Sequence, residues 1–403
     1  MTLPPTLQRV LAGHMCAGCG LCAGLDPAIE LFRDARGFLR PRARGEPHPD
    51  SDRRLAHACP GATVAPWGRA PHRHPLWGPF HRCLVGHATD PELRHTASSG
   101  GVVSALALHL LETGRADRVV QVAMDPDRPL ETVATTSRDR GGILRAAGSR
   151  YAPAAPLAKL RDELATPGRL VFVGKPCDAG ALRQLAALDP DIGARFVAIL
   201  SFFCAATPSQ RGTDRIVARL GVDARRIVAF RYRGEGWPGH ATARLDDGTE
   251  ARLNYAESWG AILSKEVQFR CKVCPDAVGG VADVAAADAW YGGDDGYPAF
   301  AEAEGRSLIL TRTELGDALV HEAEAAGRIA TTPLAIDEVE AMQPAQARRR
   351  RQVAARMRAI RFTGGFVPAM DGLDLAEAAR LEPWLSRLKA TLGLVRRIVQ
   401  GRR

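Results

Sequence analysis

Apolar residues along the chain form short runs that alternate with segments of helical spacing, beginning near residue 95. Val102, Leu106 and Leu110 recur at helical intervals after a loop of small residues, which predicts a helix fed by that loop. Apolar runs typical of buried strands occupy residues 116–124, 171–174 and 196–204, and a helical pattern occupies residues 179–188. Strands that alternate with helices predict a mixed α/β (α+β) core in which at least some strands pair in parallel.

The rest of the pattern divides the chain into four predicted regions. Residues 1–75 are rich in Cys, Pro, Gly, His and Arg, which favours a small module held together by a cofactor. Residues 68–81 predict a linker. The core is expected at residues 80–160 and 165–340, and it includes a hairpin within residues 227–253 whose turn is Asp246–Gly248.

From residue 341 to residue 403 the chain is predicted to be helical and basic. Residues 348–361 carry a charged stretch, and an apolar stripe follows at Trp384, Leu385, Leu388, Leu392, Val395 and Val399. We expect a solvated helix followed by a packing helix. A partner site or a membrane-surface site is the alternative.

Composition agrees with a globular protein. A chain of 403 residues with 46% apolar and 25% charged residues predicts two or three packed units. The sequence has no apolar run long enough to span a membrane, and its N-terminus lacks the features of a secretory signal, so we expect a cytoplasmic protein. The net charge of +9 would attract an acidic protein partner or nucleic acid, and charge alone does not decide between them.

Nine cysteines are many for a reducing compartment, where cysteines seldom form disulfides, so metal or redox chemistry is favoured. Cys16, Cys19 and Cys22 follow one another at two-residue spacing in a glycine-bearing loop, and Cys59 precedes a proline. Such a loop can hold a cubane with a distant Cys-Pro as fourth ligand. We assign these four cysteines to one [4Fe-4S] cluster, and a structural zinc site is the less favoured alternative.

A second group of cysteines, Cys177, Cys204, Cys271 and Cys274, is dispersed along the chain. The first two stand where predicted strands end, at the sheet edge where cofactor sites form. The Cys271/Cys274 pair could complete a set of four ligands. Spacing alone leaves a cluster, a zinc site and isolated buried thiols open. Cys83 remains, and we expect it to be a small buried hydrophobic residue or a stray ligand.

Two glycine-bearing segments are candidates for cofactor binding. Residues 98–102, SSGGV, stand at a predicted helix start, where amides and hydroxyls would hold a phosphate or the polar edge of a flavin. An N-capped helix explains them equally well. Residues 230–239 combine Arg231 and Arg233 with aromatic residues and glycines. That mixture suits a planar anionic cofactor. The alternative is a hairpin that carries these side chains and binds no cofactor.

Together these segments resemble the coenzyme F420 hydrogenase and dehydrogenase beta subunits, a family whose relatives include chlorophyll-pathway reductases (7-hydroxymethyl chlorophyll a reductase and divinyl chlorophyllide 8-vinyl reductase). The resemblance runs from about Cys16 to Trp290. It is carried by CAGCGLC, SSGGVVSALALHLLE, GSRYAP, VFVGKPCDAGALR, FFCAATPS, FRYRGEGWPG and SKEVQFRCKVCPD, followed by ADAW. Seven blocks in the same order are not expected by chance.

The resemblance implies a core of that family preceded by a ferredoxin-like module, with FAD and a second [4Fe-4S] cluster bound by Cys177, Cys204, Cys271 and Cys274. It implies flavin contacts from Ser98, Ser99, Gly100, Gly101, Val102, Tyr151, Lys175, Arg231, Arg233 and Lys265. It implies catalytic roles for Lys175, Asp276 and Asp288: Lys175 would stabilise charge on a reduced flavin, and the carboxyls, like Tyr151 and Lys265, are candidate proton donors. Two departures from the family pattern are Lys175 in place of threonine and Ala287 in place of glycine.

We therefore expect an oxidoreductase that passes electrons from ferredoxin, or a similar acidic donor, through two [4Fe-4S] clusters and FAD to a small organic acceptor. The alternatives are an F420-dependent beta subunit of a larger complex and an electron-transfer module without its own substrate. An oligomer is compatible with each of these. A zinc-bearing nucleic-acid binder is disfavoured, because the basic residues are not interleaved with aromatic residues; we expect no nucleic-acid partner.

Overall fold

The computed structural model describes residues 2–292 and 298–401. Its strands are β1 (Ile29–Arg33), β2 (Leu39–Ala43), β3 (His72–His74), β4 (Gly78–Phe80), β5 (Cys83–Ala88), β6 (Arg118–Met124), β7 (Thr132–Ser137), β8 (Leu170–Gly174), β9 (Phe196–Phe202), β10 (Ile227–Arg231), β11 (Ala241–Leu245), β12 (Glu250–Leu253), β13 (Val284–Asp288), β14 (Tyr291–Gly292), β15 (Pro298–Ala299), β16 (Ser307–Thr311) and β17 (Ile329–Pro333).

Its α-helices are α1 (Pro5–Ala12), α2 (Leu21–Leu25), α3 (Ser51–Ala58), α4 (Pro91–Thr96), α5 (Val102–Glu112), α6 (Arg140–Ala146), α7 (Leu160–Ala165), α8 (Pro176–Leu188), α9 (Pro190–Arg195), α10 (Gln210–Leu220), α11 (Phe269–Lys272), α12 (Glu314–Ala325), α13 (Val339–Met342), α14 (Pro344–Phe362), α15 (Leu375–Arg380) and α16 (Trp384–Val399). None of the described helices is long and apolar enough to cross a membrane.

A mixed sheet of eight strands forms the centre of the protein, in the order β17-β5-β16-β13-β9-β8-β6-β7. The strands β13, β9, β8 and β6 are neighbours and run parallel. The strands outside them pair antiparallel. Helices α8 and α9 make the crossover between β8 and β9, as parallel pairing requires. The predicted mixed α/β class with partly parallel pairing is confirmed.

Helices cover both faces of this sheet. Val171 and Ala198 pack with residues of α5 and α12. Phe172 and Ile199, one position further along the same strands, pack with α8. Successive strand residues point to opposite faces, so strands buried on both sides have continuous apolar sequences. This explains the uninterrupted apolar runs from which the strands were predicted.

Two predictions outside the sheet have opposite outcomes. The hairpin is confirmed: β11 and β12 pair on either side of the turn at residues 246–249, and β10 adds a third strand. The prediction of a linker at residues 68–81 is wrong, because that segment contains β3 and β4 and buries Trp77 completely. The Trp77 ring stacks at 5.9 Å on Phe203, beside the end of β9. The many Pro, His and Arg residues around Trp77 have the composition of a linker, so the sequence did not indicate that Trp77 is buried.

The basic C-terminal stretch is not the predicted solvated helix. Arg350 of α14 is 1% exposed, and Val353 and Met357 pack in one apolar cluster with Leu7 and Leu55 from the N-terminal 75 residues. Helix α16 joins this cluster through Leu394 and Ile398, which lie outside the predicted stripe, and through Val395 of the stripe. Of that stripe, Trp384, Leu385, Leu388, Leu392 and Val399 are exposed.

Candidate functional site

A cavity of about 840 Å³ opens at the carboxyl ends of the parallel strands. Its wall includes Lys175 after β8, Cys204 after β9 and Asp288 at the end of β13. Parallel strands end at the same sheet edge, which is where open α/β sheets bind ligands. The predicted site residues on this wall are Ser98, Ser99, Gly101, Val102, Tyr151, Lys175, Arg233, Cys204, Cys271 and Asp288. The volume is in the range of sites for small molecules and cofactors.

The amino end of α5 forms one side of the cavity. Gly101 has a φ of +77° and precedes the helix without a side chain that caps it. The first amides of a helix have no partner within the helix, and Val102, Val103 and Ser104 belong to the cavity wall. Their N–H groups and the helix dipole favour an anion there.

The serines and Gly100 hold this helix end in place. The hydroxyl of Ser98 lies 2.6 Å from that of Ser149, and Ser99 donates to carbonyls at 3.2 Å. A Cβ on Gly100 would lie 2.7 Å from the Gly86 carbonyl and from the Ser307 amide. Gly100 therefore allows the loop to approach the sheet, and its own atoms are not on the cavity wall.

A caged ion pair, Arg233 with Asp288, forms another part of the cavity wall. The guanidinium of Arg233 is 2% exposed and donates to both carboxylate oxygens of Asp288, at 2.9 and 3.0 Å. Trp237 donates to the same carboxylate at 2.7 Å. Burial alone would lower the pKa of Arg233, but the charge of Asp288 raises it well above its usual value. The guanidinium also lies 5.0 Å from the Tyr255 ring and 5.1 Å from the Trp290 ring. Asp288 thus holds the side chains of Arg233 and Trp237 in position.

Lys175 keeps its positive charge at the cavity wall. Its Nζ lies 2.7 Å from Asp178, whose side chain also accepts from the Lys175 amide at 3.1 Å. Burial acts to lower the pKa of Lys175, and the nearby Asp178 carboxylate and thiols outweigh it, so the pKa is raised. Asp178 also belongs to the cavity wall, so the Lys175 ammonium is presented to the cavity together with its partner carboxylate.

The four dispersed cysteines converge beside the cavity. Burial raises the pKa values of Cys177, Cys204 and Cys274, and each thiolate is close enough to another of this quartet to raise its pKa further. Cys271 belongs to the same group through its effect on Cys204 and Cys274. Its sulfur accepts from the Thr207 amide at 3.3 Å. Cys204 and Cys271 stand on the cavity wall.

The N-terminal cysteines form a second quartet. Burial and the other thiols raise the pKa values of Cys19 and Cys22 well above their usual value, and that of Cys59 to about 11. Cys16 acts on both Cys22 and Cys59. Gly20, with a φ of +85°, turns the loop between Cys19 and Cys22. A Cβ there would lie 2.8 Å from the Ala158 amide, so this loop sits directly against the core.

Both quartets suit an iron-sulfur cluster. Burial and neighbouring thiols raise the pKa values of six of these eight cysteines, which need positive charge before they can become thiolates, and iron would supply it. A single zinc ion would hold four sulfurs within about 3.8 Å of each other. The described residues contain no group of three His, Cys, Asp or Glu side chains arranged to hold one ion. The four ligands of a cubane are instead bound to separate irons, and the four thiols of each quartet are the side chains that could hold one.

Besides Gly100, three predicted flavin-binding or catalytic residues, Asp276, Lys265 and Arg231, are not on the cavity wall, and Cys83 belongs to neither quartet. Asp276 is 5% exposed and accepts from the backbone amides of Val278 and Gly280, which makes it part of a turn. Lys265 is exposed to solvent. Arg231 donates to the Thr96 carbonyl at 3.0 Å and supports the loop before Ser98. Cys83 is buried in β5, where burial raises its pKa to about 12.

Helix α14 supplies contacts that the sequence did not reveal. Gln346 and Arg349 each donate at 3.0 Å to the carbonyl of Cys204, and Arg356 donates at 2.6 Å to that of Lys272, next to Cys271. Arg350 binds the carbonyl of Pro275, which follows Cys274. These basic residues thus brace the backbone around the second quartet. The sequence signal that could have indicated a buried helix here is the pair Val353 and Met357, four residues apart within the charged stretch.

Two family models match this chain. The model of the C-terminal part of the coenzyme F420 hydrogenase/dehydrogenase beta subunit matches residues 168–337, and that of its N-terminal part matches residues 83–161. The coenzyme F420 hydrogenase beta subunit of Methanosarcina barkeri is 26% identical over 272 residues, which covers 66% of this chain and 86% of the relative. The corresponding subunit of Methanococcus voltae is 26% identical over 283 residues, covering 66% and 88%.

A longer alignment and a solved structure agree with this. The coenzyme F420-dependent sulfite reductase of Methanocaldococcus jannaschii is 23% identical over 337 residues, covering 79% of this chain and 47% of that protein. A chain of the F420-reducing [NiFe] hydrogenase complex from Methanosarcina barkeri has a TM-score of 0.56 at 21% identity, covering 75% of this chain and 99% of that one, and thus shares its fold. This chain belongs to the coenzyme F420 hydrogenase/dehydrogenase beta subunit family, whose named members are oxidoreductases and their subunits.

Proposed function

We propose that this protein is an iron-sulfur flavoprotein oxidoreductase. It takes electrons from reduced ferredoxin, or a similar acidic one-electron donor, and passes them through two [4Fe-4S] clusters and FAD to a small organic acceptor. The observation that carries this proposal is the shared wall: Cys204 and Cys271 face the same cavity as Lys175 and the amino end of α5. The cysteines and a helix end that favours an anion are therefore neighbours.

The residues of the chain would hold the flavin at defined points. The free amides at the start of α5 would bind its phosphates, and the charge of Lys175 would favour an anionic, reduced ring. Tyr255, Trp290 and the Arg233 guanidinium offer flat surfaces that orient a ring system. When bound, the clusters carry single electrons and the flavin combines them into a pair for the acceptor.

The basic residues at the rim of the cavity support an acidic donor. Arg348 is exposed, and Arg348, Lys272 and Arg397 all belong to the cavity wall. Burial lowers the pKa of Lys272, and the charges of Arg397 and Arg36 lower it further, so cations are crowded here. A partner with carboxylates would relieve this repulsion, and salt would weaken its binding.

Cofactor analysis of anaerobically purified protein tests the proposal directly. We expect FAD with close to eight irons and eight sulfides per chain. Cys204→Ser should reduce the iron content to about half, whereas Cys83→Ala, which removes a buried thiol outside both quartets, should leave it unchanged. Protein that holds zinc and no iron, or no flavin, would contradict the proposal.

The order of electron flow has its own test. Cys19→Ser should abolish reduction by ferredoxin and leave FAD bound, because the N-terminal quartet is outside the cavity. Arg348→Glu should weaken ferredoxin binding most at low salt, and Arg225→Glu, a change at an exposed arginine outside the cavity wall, is the control. Removing all residues from 348 onward is a poorer test, since α14 also braces the second quartet. Loss of FAD from Cys19→Ser, or unchanged binding by Arg348→Glu, would argue against this order.

The names of the relatives support a second candidate, an F420-dependent beta subunit of a larger complex. Coenzyme F420 hydrogenase subunits from three methanogens match most of their length to this chain. Rapid flavin reduction by reduced F420, together with copurification of large subunits, would favour this candidate. Flavin reduction by ferredoxin without transfer to any acceptor would instead favour an electron-transfer module.

A further inference from the structure

Arg270 is a buried arginine that lies between the two cysteine quartets. It directly precedes Cys271, and its Nη2 donates at 3.2 Å to the carbonyl of Pro60, the residue after Cys59. The residue is 3% exposed. Gln268, two residues before Arg270, makes a similar link, since its side-chain amide donates to the Ala17 carbonyl at 3.1 Å and to the Cys271 sulfur at 3.5 Å. The segment that begins α11 is thus the bridge between the two sets of thiols.

The guanidinium of Arg270 has hydrogen-bonding capacity that the protein does not use. Its Nε and Nη1 are enclosed and have no hydrogen-bond partner among the described residues. Arg270 forms no ion pair with any carboxylate among the residues that the structure describes. A buried, uncompensated arginine is strongly unfavourable. Its neighbours are the thiols of both quartets: Cys271 is the next residue, and Cys59 precedes the proline whose carbonyl accepts from Arg270.

We propose that Arg270 is a positioning residue that donates hydrogen bonds to sulfur atoms at both clusters and sets their reduction potentials together. This inference rests on the proposed function, because it requires clusters on both quartets. Each cluster gains negative charge on reduction, so a shared cation and N–H···S hydrogen bonds stabilise the reduced state of both. One arginine thereby shifts both potentials upward together.

Redox titration followed by EPR tests this role without measuring turnover. Arg270→Gln removes the charge, and Arg270→Lys keeps the charge but loses the fork of donors. We expect Arg270→Gln to lower the ratio of reduced to oxidised iron at least tenfold for both clusters at a given potential, which is 59 mV for a one-electron couple. Arg270→Lys should shift both clusters in the same direction by less. The control is Arg118→Lys, a buried arginine bound to Glu163 at the amino end of β6, which should shift neither.

Each other outcome overturns the inference. Unchanged potentials, or a shift confined to one cluster, would leave Arg270 as a ligand of the Pro60 carbonyl only. If both Arg270 variants fold by circular dichroism and fail to retain iron, the residue serves cluster assembly instead of potential. The proposed function fails separately, when the wild-type protein itself lacks two clusters.

Discussion

Replacing Asp288 with asparagine should strongly destabilise the core. The carboxylate compensates the 2%-exposed Arg233 with two hydrogen bonds and accepts a third from Trp237. Removing one partner of a buried ion pair costs about 3–5 kcal/mol, because the other charge stays buried without compensation. The segments that the two family models match, residues 83–161 and 168–337, amount to about 250 residues. For a folded unit of that size, the loss corresponds to a fall of about 6–10 °C in melting temperature.

The matched control is Asp246→Asn. Asp246 also binds an arginine, Arg226, at 2.8 and 3.0 Å, but both side chains are about half exposed. Exposed pairs contribute about 0–1 kcal/mol, so its melting temperature should fall by less than about 2 °C. The assay is thermal unfolding by circular dichroism, with cofactor content measured on the same samples. If Asp288→Asn melted like the wild type but lost turnover, Asp288 would be the proton donor that the resemblance implies, and the cage argument would be refuted.

Three further predictions test the site and its supports. Gly100→Ala should release FAD, because the new Cβ would lie 2.7 Å from backbone atoms, whereas Gly393→Ala on α16 meets nothing within 4 Å and should bind FAD normally; equal flavin content would contradict this. Cys83 should resist iodoacetamide at pH 8 until the protein unfolds, since burial raises its pKa to about 12, and mass spectrometry showing rapid labelling would refute the assignment. Arg350→Ala should lose iron from the second quartet while the exposed Arg358→Ala keeps it, and iron analysis showing no difference would remove the bracing role.

The sequence predicts features that depend on local patterns. Helix α5 follows from the spacing of Val102, Leu106 and Leu110, and the sheet strands follow from continuous apolar runs that are buried on both faces. The loop of Cys16, Cys19 and Cys22 is recognisable because its ligands are close in sequence. These features need no knowledge of distant contacts.

Features that depend on distant contacts were missed or stayed open. Trp77 anchors a segment whose composition resembles a linker, and Arg350 is buried because distant carbonyls, those of Pro75, Pro275 and Leu373, happen to surround it. Spacing could not decide whether Cys177 and Cys204 approach Cys271, which follows more than 60 residues later. The bridging position of Arg270 has no local signal at all. The boundaries at residues 75, 160 and 340 stay predictions.

The support that α14 gives to the second quartet has a consequence for biosynthesis. During translation the cysteines up to residue 274 leave the ribosome well before residues 344–362, which complete their surroundings. A nascent chain therefore exposes thiols that it cannot yet enclose, and maturation machinery would act most safely after release. A stop codon placed directly before residue 344 should thus yield a product that lacks iron at the second quartet even though all of its cysteines have been made.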